Sequence, residues 1–137
     1  MSRIYTPGRN LSLDESMVLW RGRLVFRQYI KNKRHKYGIK LFQLCESDGI
    51  VLRVAIYSGE SFFDEHMIGQ TGAIVLHLMR DYLDKGYCVF TDNYYTSVTL
   101  TKIMSERSTY ICGTLRPDRK GNPQTVIQSK LKRGEYE

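Results

Sequence analysis

Two aspartates, Asp14 and Asp92, are the residues of this sequence best suited to chemistry. Asp92 follows the apolar, β-branched and aromatic run 87–91, which predicts a buried strand, and strands of open α/β sheets end at the ligand crevice. Asp14 lies within the first predicted strand, where acidic residues are depleted. Unless its side chain faces solvent, it needs a cation, a hydrogen-bond network or a metal. Two carboxylates aimed at one point are what divalent metal chemistry on a phosphodiester requires.

Asp92 also has a simpler interpretation, in which its side chain caps the helix predicted to follow it. Taken alone, the stretch 87–97 favours that interpretation. The second acid upstream and the basic, aromatic sequence around the two shift the balance toward a metal site. The two carboxylates meet only if the strands that carry them are neighbours at the centre of the sheet.

The composition indicates one domain with a polyanionic partner. A chain of 137 residues is long enough for one compact domain and too short for two. Hydrophobic residues make up 42% of it, so a buried core is expected. The net charge of +7 favours nucleic acid as the partner and, less often, a membrane surface. No apolar run approaches the roughly 18 residues that a membrane span needs.

The cysteines and the N-terminus indicate an intracellular protein. Cys45, Cys88 and Cys112 are widely spaced, and each lies in an apolar, strand-like run. We interpret them as reduced, buried core cysteines and not as a zinc site or a disulfide framework. Residues 1–10 contain no hydrophobic stretch, so they are not a secretory signal. The expected compartment is the cytosol or the nucleus.

The hydrophobic pattern predicts four strands, then helix, strand, helix and strand. The first strand begins at Leu11 and has a break near Asp14; the later elements are predicted at residues 24–30, 37–45, 50–57, 71–84, 87–91, 94–105 and 109–115. Thr71 is the predicted cap of the first helix and Gly86 its stop. The turn residues at 46–49 predict a hairpin. This order indicates an α/β protein with a mixed sheet and flanking helices.

Three segments are predicted to be polar loops or tails. The basic run 31–36 is either a solvated loop or a DNA-facing or nuclear-import segment. The connection 58–69 contains Asp64, Glu65 and His66, but without close ligand spacing we expect a surface loop and not a metal site. From Arg116 onward the sequence becomes a basic, turn-rich tail.

Several blocks of the sequence resemble the piggyBac-type transposases and the genes domesticated from them. In order, the blocks are YTPGRNLSLDESMVLWRGRLVFRQYIKNKRHKYGIKLF, the hairpin with IYSG, KGYCVFTDNYYTSVTL and YICGTLRPDRKGNP, which together cover nearly the whole chain. The resemblance implies the ribonuclease-H-like fold of a DDE/D transposase. Residues 1–137 would then be the N-terminal part of its catalytic domain, with 1–10 leading in and 116–137 as the basic tail. It also implies Mg²⁺ or Mn²⁺ as cofactor, DNA as partner and the nucleus as location.

The resemblance assigns roles residue by residue. Asp14 of SLDES and Asp92 of TDNYYTS match the first and second catalytic aspartates of the family, and so would bind the metal. Other residues resemble positions that contact the transposon end, its flanks or the target DNA: Asn93, Ser97, Arg21, Arg23, Arg116, Arg119 and Lys120.

The sequence departs from the family pattern at the third acid. The family's third aspartate lies on a helix beyond an insertion, whereas Asp118, the late aspartate of this sequence, lies in the basic turn. We therefore expect a sheet that is incomplete at its C-terminal side and a catalytically incomplete segment. The intact relative would perform cut-and-paste transposition at TTAA target DNA, as a homodimer formed through regions outside this sequence. The alternatives are a non-catalytic DNA-binding or protein-interaction module and a poorly folding relic.

Overall fold

The structure is a computed structural model that describes residues 5–31, 36–59, 68–130 and 132–135. Its main feature is a mixed sheet flanked by helices. Most of the basic run 31–36 and of the connection 58–69 lies outside the described residues. The elements, in chain order, are β1 (Asn10–Leu19), β2 (Gln28–Tyr29), β3 (Tyr37–Glu46), β4 (Val51–Ile56), α1 (Gly69–Met79), β5 (Cys88–Thr91), α2 (Val98–Glu106), β6 (Tyr110–Gly113) and α3 (Gln124–Gln128). None of the helices in these ranges is long and apolar enough to cross a membrane.

The sheet places β1 at its centre. The strand order is β2, β3, β1, β5, β6, with β4 also paired to β3. Strand β3 runs antiparallel to β1, β2 and β4, whereas β5 runs parallel to both β1 and β6. The predicted α/β class with a mixed sheet and flanking helices is therefore confirmed. The predicted hairpin between β3 and β4 is also present, and Gly49 supplies the positive φ of 88° that its turn needs.

Side chains of the central strands alternate between a covered and an open face of the sheet. Leu11 and Leu13 of β1 and Val89 of β5 are buried in a core that the helices cover, whereas Ser12 and Phe90 are exposed. The helices contribute apolar side chains to the same core: Ile74, Val75, Leu78, Met79, Leu100 and Met104. Position 14 continues the exposed series, so the strand pattern directs Asp14 away from the core.

The cysteines follow this alternation, and the expectation that all three are buried is wrong. Cys112 is exposed, and Cys45 and Cys88 are partly buried. They lie at positions paired with Phe90, Ser12 and Asn10 respectively, which belong to the open face. All three are free thiols.

Strand β1 is unbroken, contrary to the predicted break near Asp14. Because Asp14 is exposed, its charge stays solvated and interrupts no packing. The strand predicted at 24–30 shortens to Gln28–Tyr29, since Arg27 N donates to Leu24 O in a turn.

Both long helices differ from their predicted bounds. Helix α1 begins at Gly69, with Ile68 and not Thr71 at the capping position, and ends at Met79. Turns then lead to β5 through positive φ angles at Asp84 (62°) and Gly86 (75°). Helix α2 begins at Val98 and not at Tyr94. The basic, turn-rich tail contains the short helix α3.

Candidate metal centre

The parallel pairing of β1 with β5 sets the geometry of the two candidate acids. The last pair of this ladder is Leu13 with Thr91, and Asp14 and Asp92 each follow that pair by one residue; Asp14 lies inside β1, and Asp92 comes directly after β5. Paired strands lie roughly 4.8 Å apart, so the two aspartates occupy neighbouring positions at the sheet centre. Both side chains are exposed. The strands that carry the acids are therefore neighbours, as a shared cation requires, while the metal-binding role of the two acids stays a prediction.

Asp92 lies in a turn and does not cap α2. Its Oδ1 accepts a hydrogen bond of 2.8 Å from Tyr94 N, and its backbone carbonyl accepts one of 2.9 Å from the Thr96 hydroxyl. The cap of α2 is Ser97, whose Oγ accepts from Leu100 N at 3.2 Å. The capping interpretation of Asp92 is wrong, because the chain makes this turn before the helix starts.

Asp14 is oriented by its own strand. Its Oδ1 accepts a hydrogen bond of 2.8 Å from Glu15 N. Within the described ranges, no hydrogen bond or ion pair engages the Oδ2 atom of Asp14 or of Asp92. Each carboxylate thus offers an outward-facing oxygen, the donor that Mg²⁺ and Mn²⁺ prefer. The donor set fits a divalent cation that is also bound by water or phosphate oxygens.

A buried tyrosine, Tyr95, lies next to Asp14 and Asp92, the acid pair. Tyr95 is fully buried, and its hydroxyl donates a hydrogen bond of 3.1 Å to Oε2 of Glu15. Burial raises the pKa of Tyr95 far above its usual value, and the negative charges of Glu15, Asp14 and Asp92 raise it further. The Tyr95 hydroxyl therefore stays protonated and remains a hydrogen-bond donor.

Asp14, Asp92 and Glu15 do not form a three-ligand cluster. No group of three or more His, Cys, Asp or Glu side chains converges on one point in the part of the chain that the structure describes. Glu15 alternates with Asp14 along β1 and is half-buried on the core side. Asp118 is exposed in the basic turn.

Part of the predicted DNA-binding cluster is packed against the turn that carries Asp92. Nε of Arg116 donates to Oδ1 of Asn93 at 3.1 Å, and the half-buried guanidinium of Arg119 donates to the backbone carbonyls of Asn93 and Tyr94. Lys120 is exposed. The structure thus brings Asn93, Arg116 and Arg119 together, while their contacts with DNA stay a prediction.

Arg21 and Arg23 lie beyond the C-terminal end of β1. Both are exposed in the segment that follows the strand, where Arg27 donates to the Arg21 carbonyl at 3.4 Å. Strand β1 continues from Asp14 to Leu19, 19 − 14 = 5 residues, which spans about 17 Å. These arginines are therefore not brought to the acid pair, and their contacts with DNA stay a prediction.

Comparison with known proteins decides the family. Residues 1–137 match the family described as Transposase IS4. The chain belongs to this transposase family, of the piggyBac type. A cryo-EM structure of a piggyBac transposase synaptic complex with hairpin DNA matches 93% of the chain with a TM-score of 0.81 and 30% sequence identity. The chain spans 27% of the length of that piggyBac transposase chain. The resemblance predicted from the sequence is confirmed.

Sequence reasoning missed two features of this transposase-family site. One is the hydrogen bond between Tyr95 and Glu15, which joins residues 95 − 15 = 80 positions apart and has no local signature. The other is Lys40, whose Nζ lies 5.0 Å from the ring centroid of Tyr94 and 4.8 Å from that of Phe42. The one available signal for the Tyr95–Glu15 hydrogen bond was Glu15 itself, the acid that directly follows Asp14 in β1.

Proposed function

We propose that this chain is the N-terminal part of a DDE/D transposase catalytic domain of ribonuclease-H-like fold. In this proposal Asp14 and Asp92 bind a divalent cation, Mg²⁺ or Mn²⁺. The observation that carries the proposal is the parallel register of β1 and β5, which ends at Leu13 and Thr91 immediately before the two acids. Membership of the transposase family supports the same chemistry.

The chain's own residues have defined tasks in this proposal. A cation held by Asp14 and Asp92 would supply Lewis-acid activation for cleavage and transfer of a DNA strand. Asp14 and Asp92 neutralise the cation's charge in part and fix its position on the sheet. The backbone N–H groups of Glu15 and Tyr94 each hold one carboxylate oxygen, so that the other oxygen faces outward. The carboxylates are thus oriented before the cation and the DNA arrive.

DNA is the proposed substrate and partner. The net charge of +7 and the exposed Arg21, Arg23, Arg116 and Lys120 supply phosphate-binding groups. The matching piggyBac transposase structure is a complex with hairpin DNA. We extend this proposal to cut-and-paste reactions at TTAA targets, to homodimer formation and to a nuclear location, as the resemblance noted in the sequence implies.

Metal titration tests the acid pair directly. We expect saturable Mn²⁺ binding to the chain by isothermal titration calorimetry, and its loss in Asp14→Asn and in Asp92→Asn. Asp48→Asn is the matched control, because Asp48 is exposed in the turn between β3 and β4. It should bind Mn²⁺ like the unaltered chain. If Asp14→Asn and Asp92→Asn bind Mn²⁺ as tightly as the unaltered chain, the metal centre is rejected.

A second candidate function is a non-catalytic DNA-binding or protein-interaction module, which the net charge of +7 favours. Phosphate contacts alone give binding that falls steeply with salt and is insensitive to metal. Duplex DNA affinity measured across salt, with and without Mg²⁺, separates the two functions. An increase with Mg²⁺ that Asp92→Asn abolishes supports the catalytic domain, and metal-independent binding supports the module.

A further inference from the structure

Tyr95 connects the two strands that carry the acid pair. Its ring is fully buried and packs edge-on against Phe42 of β3 and against Tyr94, with centroid distances of 6.3 and 5.0 Å. These contacts fix the ring, so its hydroxyl has a defined position. From there the hydroxyl reaches Oε2 of Glu15 on β1. A phenylalanine would fill the same core space and lack this one hydrogen bond.

The connection continues to both candidate ligands. On one side, Glu15 donates its backbone N–H to Oδ1 of Asp14. On the other side, Tyr95 N donates to the carbonyl of Asp92 at 3.3 Å, and the adjacent Tyr94 N donates to Oδ1 of Asp92. An unbroken series of hydrogen bonds and covalent links therefore runs from one carboxylate to the other through the Tyr95–Glu15 pair.

Glu15 itself is oriented to support the acids and not to be a ligand. Asp14 and Glu15 alternate on β1, so Glu15 points to the core side, where it is half-buried opposite Phe42. It also does not complete a three-ligand group within the ranges described. A half-buried carboxylate at the edge of a core needs a hydrogen-bond donor, and the Tyr95 hydroxyl is one.

We propose that Tyr95 is a positioning residue, whose hydrogen bond to Glu15 sets the spacing and direction of Asp14 and Asp92 for a divalent cation. This inference rests on the proposed function, since it concerns the same acid pair. Hydrogen-bonded groups that support metal ligands orient those ligands, and the loss of such a supporting hydrogen bond typically lowers metal affinity 10- to 100-fold. Tyr95 acts through the acids and does not touch the cation.

The test measures Mn²⁺ affinity of Tyr95→Phe by isothermal titration calorimetry, at a temperature where circular dichroism shows the variant to be folded. We expect affinity to fall about 10-fold. Tyr82→Phe is the matched control, because Tyr82 is also buried but packs against Tyr87 at a centroid distance of 5.3 Å. In a Glu15→Ala background, Tyr95→Phe should cause little further loss, since the hydrogen bond is already absent.

A metal-free measurement separates this inference from the proposed function. Hydrogen exchange of the Glu15 and Tyr94 amides should accelerate in Tyr95→Phe and stay unchanged in Tyr82→Phe. If the unaltered chain binds Mn²⁺ through Asp14 and Asp92 but Tyr95→Phe binds it equally well, the positioning role is wrong and the metal centre stands. If Mn²⁺ binding does not depend on the two aspartates, the proposed function fails, and unchanged amide exchange in Tyr95→Phe would then reject the positioning role as well.

Discussion

The hydroxyl oxygens of Thr91 and Thr96 lie 3.0 Å apart and form a buried hydrogen bond across the turn that carries Asp92. A threonine hydroxyl has one proton, and that of Thr96 is donated to the carbonyl of Asp92 at 2.9 Å. Thr91 is therefore the donor to Thr96. The strand that precedes Asp92 and the turn that follows it are joined independently of the metal.

Replacement of either threonine by valine should weaken this turn to different degrees. Thr91→Val removes one hydrogen bond and should lower the free energy of unfolding by about 1 kcal/mol. Thr96→Val removes two and should cost more, about 1–3 kcal/mol. Urea denaturation measures both. Thr99→Val is the control, because Thr99 is exposed on α2. Equal stability of Thr91→Val and Thr96→Val would contradict the assigned direction of donation.

Gly113 of β6 packs closely against the same two threonines. A Cβ atom built at this position would lie 2.4 Å from the Thr91 carbonyl oxygen and 2.5 Å from Thr96 Oγ1. Gly113→Ala should therefore push β6 away from β5 and destabilise the protein by about 1–3 kcal/mol, as overpacking does. Thermal unfolding measures the loss, with the exposed neighbour Thr114→Ala as control. A Gly113→Ala protein with unchanged stability would show that β6 can shift without cost.

Strand β5 and the hairpin between β3 and β4 were predictable from sequence because their signals are local. The run 87–91 predicts β5, and the turn at 46–49 predicts the hairpin, from the residues within each stretch. The start of α2 was not predictable in the same way. The apolar spacing after Asp92 suits a helix, but the Asp92 carbonyl captures Tyr95 N and Thr96 N in a turn, which delays the helix until Ser97 can cap it.

The candidate site likewise has features with local sequence signals and features without them. Asp14 and Asp92 could be proposed as metal ligands from short motifs, and their adjacency depends only on which strands pair. The Tyr95–Glu15 hydrogen bond depends on the depth and rotation of one aromatic ring in a core built by distant strands. Such a contact has no signature in the residues next to either partner. The same holds for Arg119, whose bonds to the turn carbonyls require residues 116–122 to fold back onto it.

Glu46 should make stability depend on pH in the acidic range. The Glu46 carboxylate accepts hydrogen bonds from the Tyr5 hydroxyl and from Gly8 N. These two bonds, of which that from Tyr5 has the larger effect, hold the pKa of Glu46 below its ordinary value of 4.5. A lowered folded-state pKa stabilises the fold above the unfolded-state pKa, and that stabilisation is lost as pH falls through the folded-state value. Urea denaturation between about pH 3 and pH 7 should show this loss, and Glu46→Gln should flatten the profile around and below pH 4.5.

Tyr5→Phe provides the second arm of that experiment. It removes the largest cause of the lowered Glu46 pKa and leaves the Gly8 hydrogen bond in place. The acid-dependent loss of stability should therefore shrink without vanishing. An unchanged pH profile in both Tyr5→Phe and Glu46→Gln would mean that other carboxylates dominate acid unfolding.

Lys120 and Arg119, adjacent in sequence, should respond differently to truncation. Lys120 is exposed, so Lys120→Ala should weaken duplex DNA binding, reduce the slope of log affinity against log salt by about 1 and leave the melting temperature unchanged. Arg119 is half-buried and bonded to the carbonyls of Asn93 and Tyr94, so Arg119→Ala should lower the melting temperature and disturb the Asp92 turn. Fluorescence anisotropy with a DNA duplex and thermal unfolding separate the two effects.

Lys85→Ala is the charge-matched control for Lys120→Ala. Lys85 precedes β5, at the end of that strand opposite to Asp92, and its Nζ donates to the Asp81 carbonyl at 2.6 Å. If the basic turn 116–122 contacts phosphate, Lys120→Ala must reduce DNA affinity more than Lys85→Ala, although both remove one positive charge. Equal reductions would mean that net charge alone drives binding, and the assignment of Lys120 as a DNA contact would then be wrong.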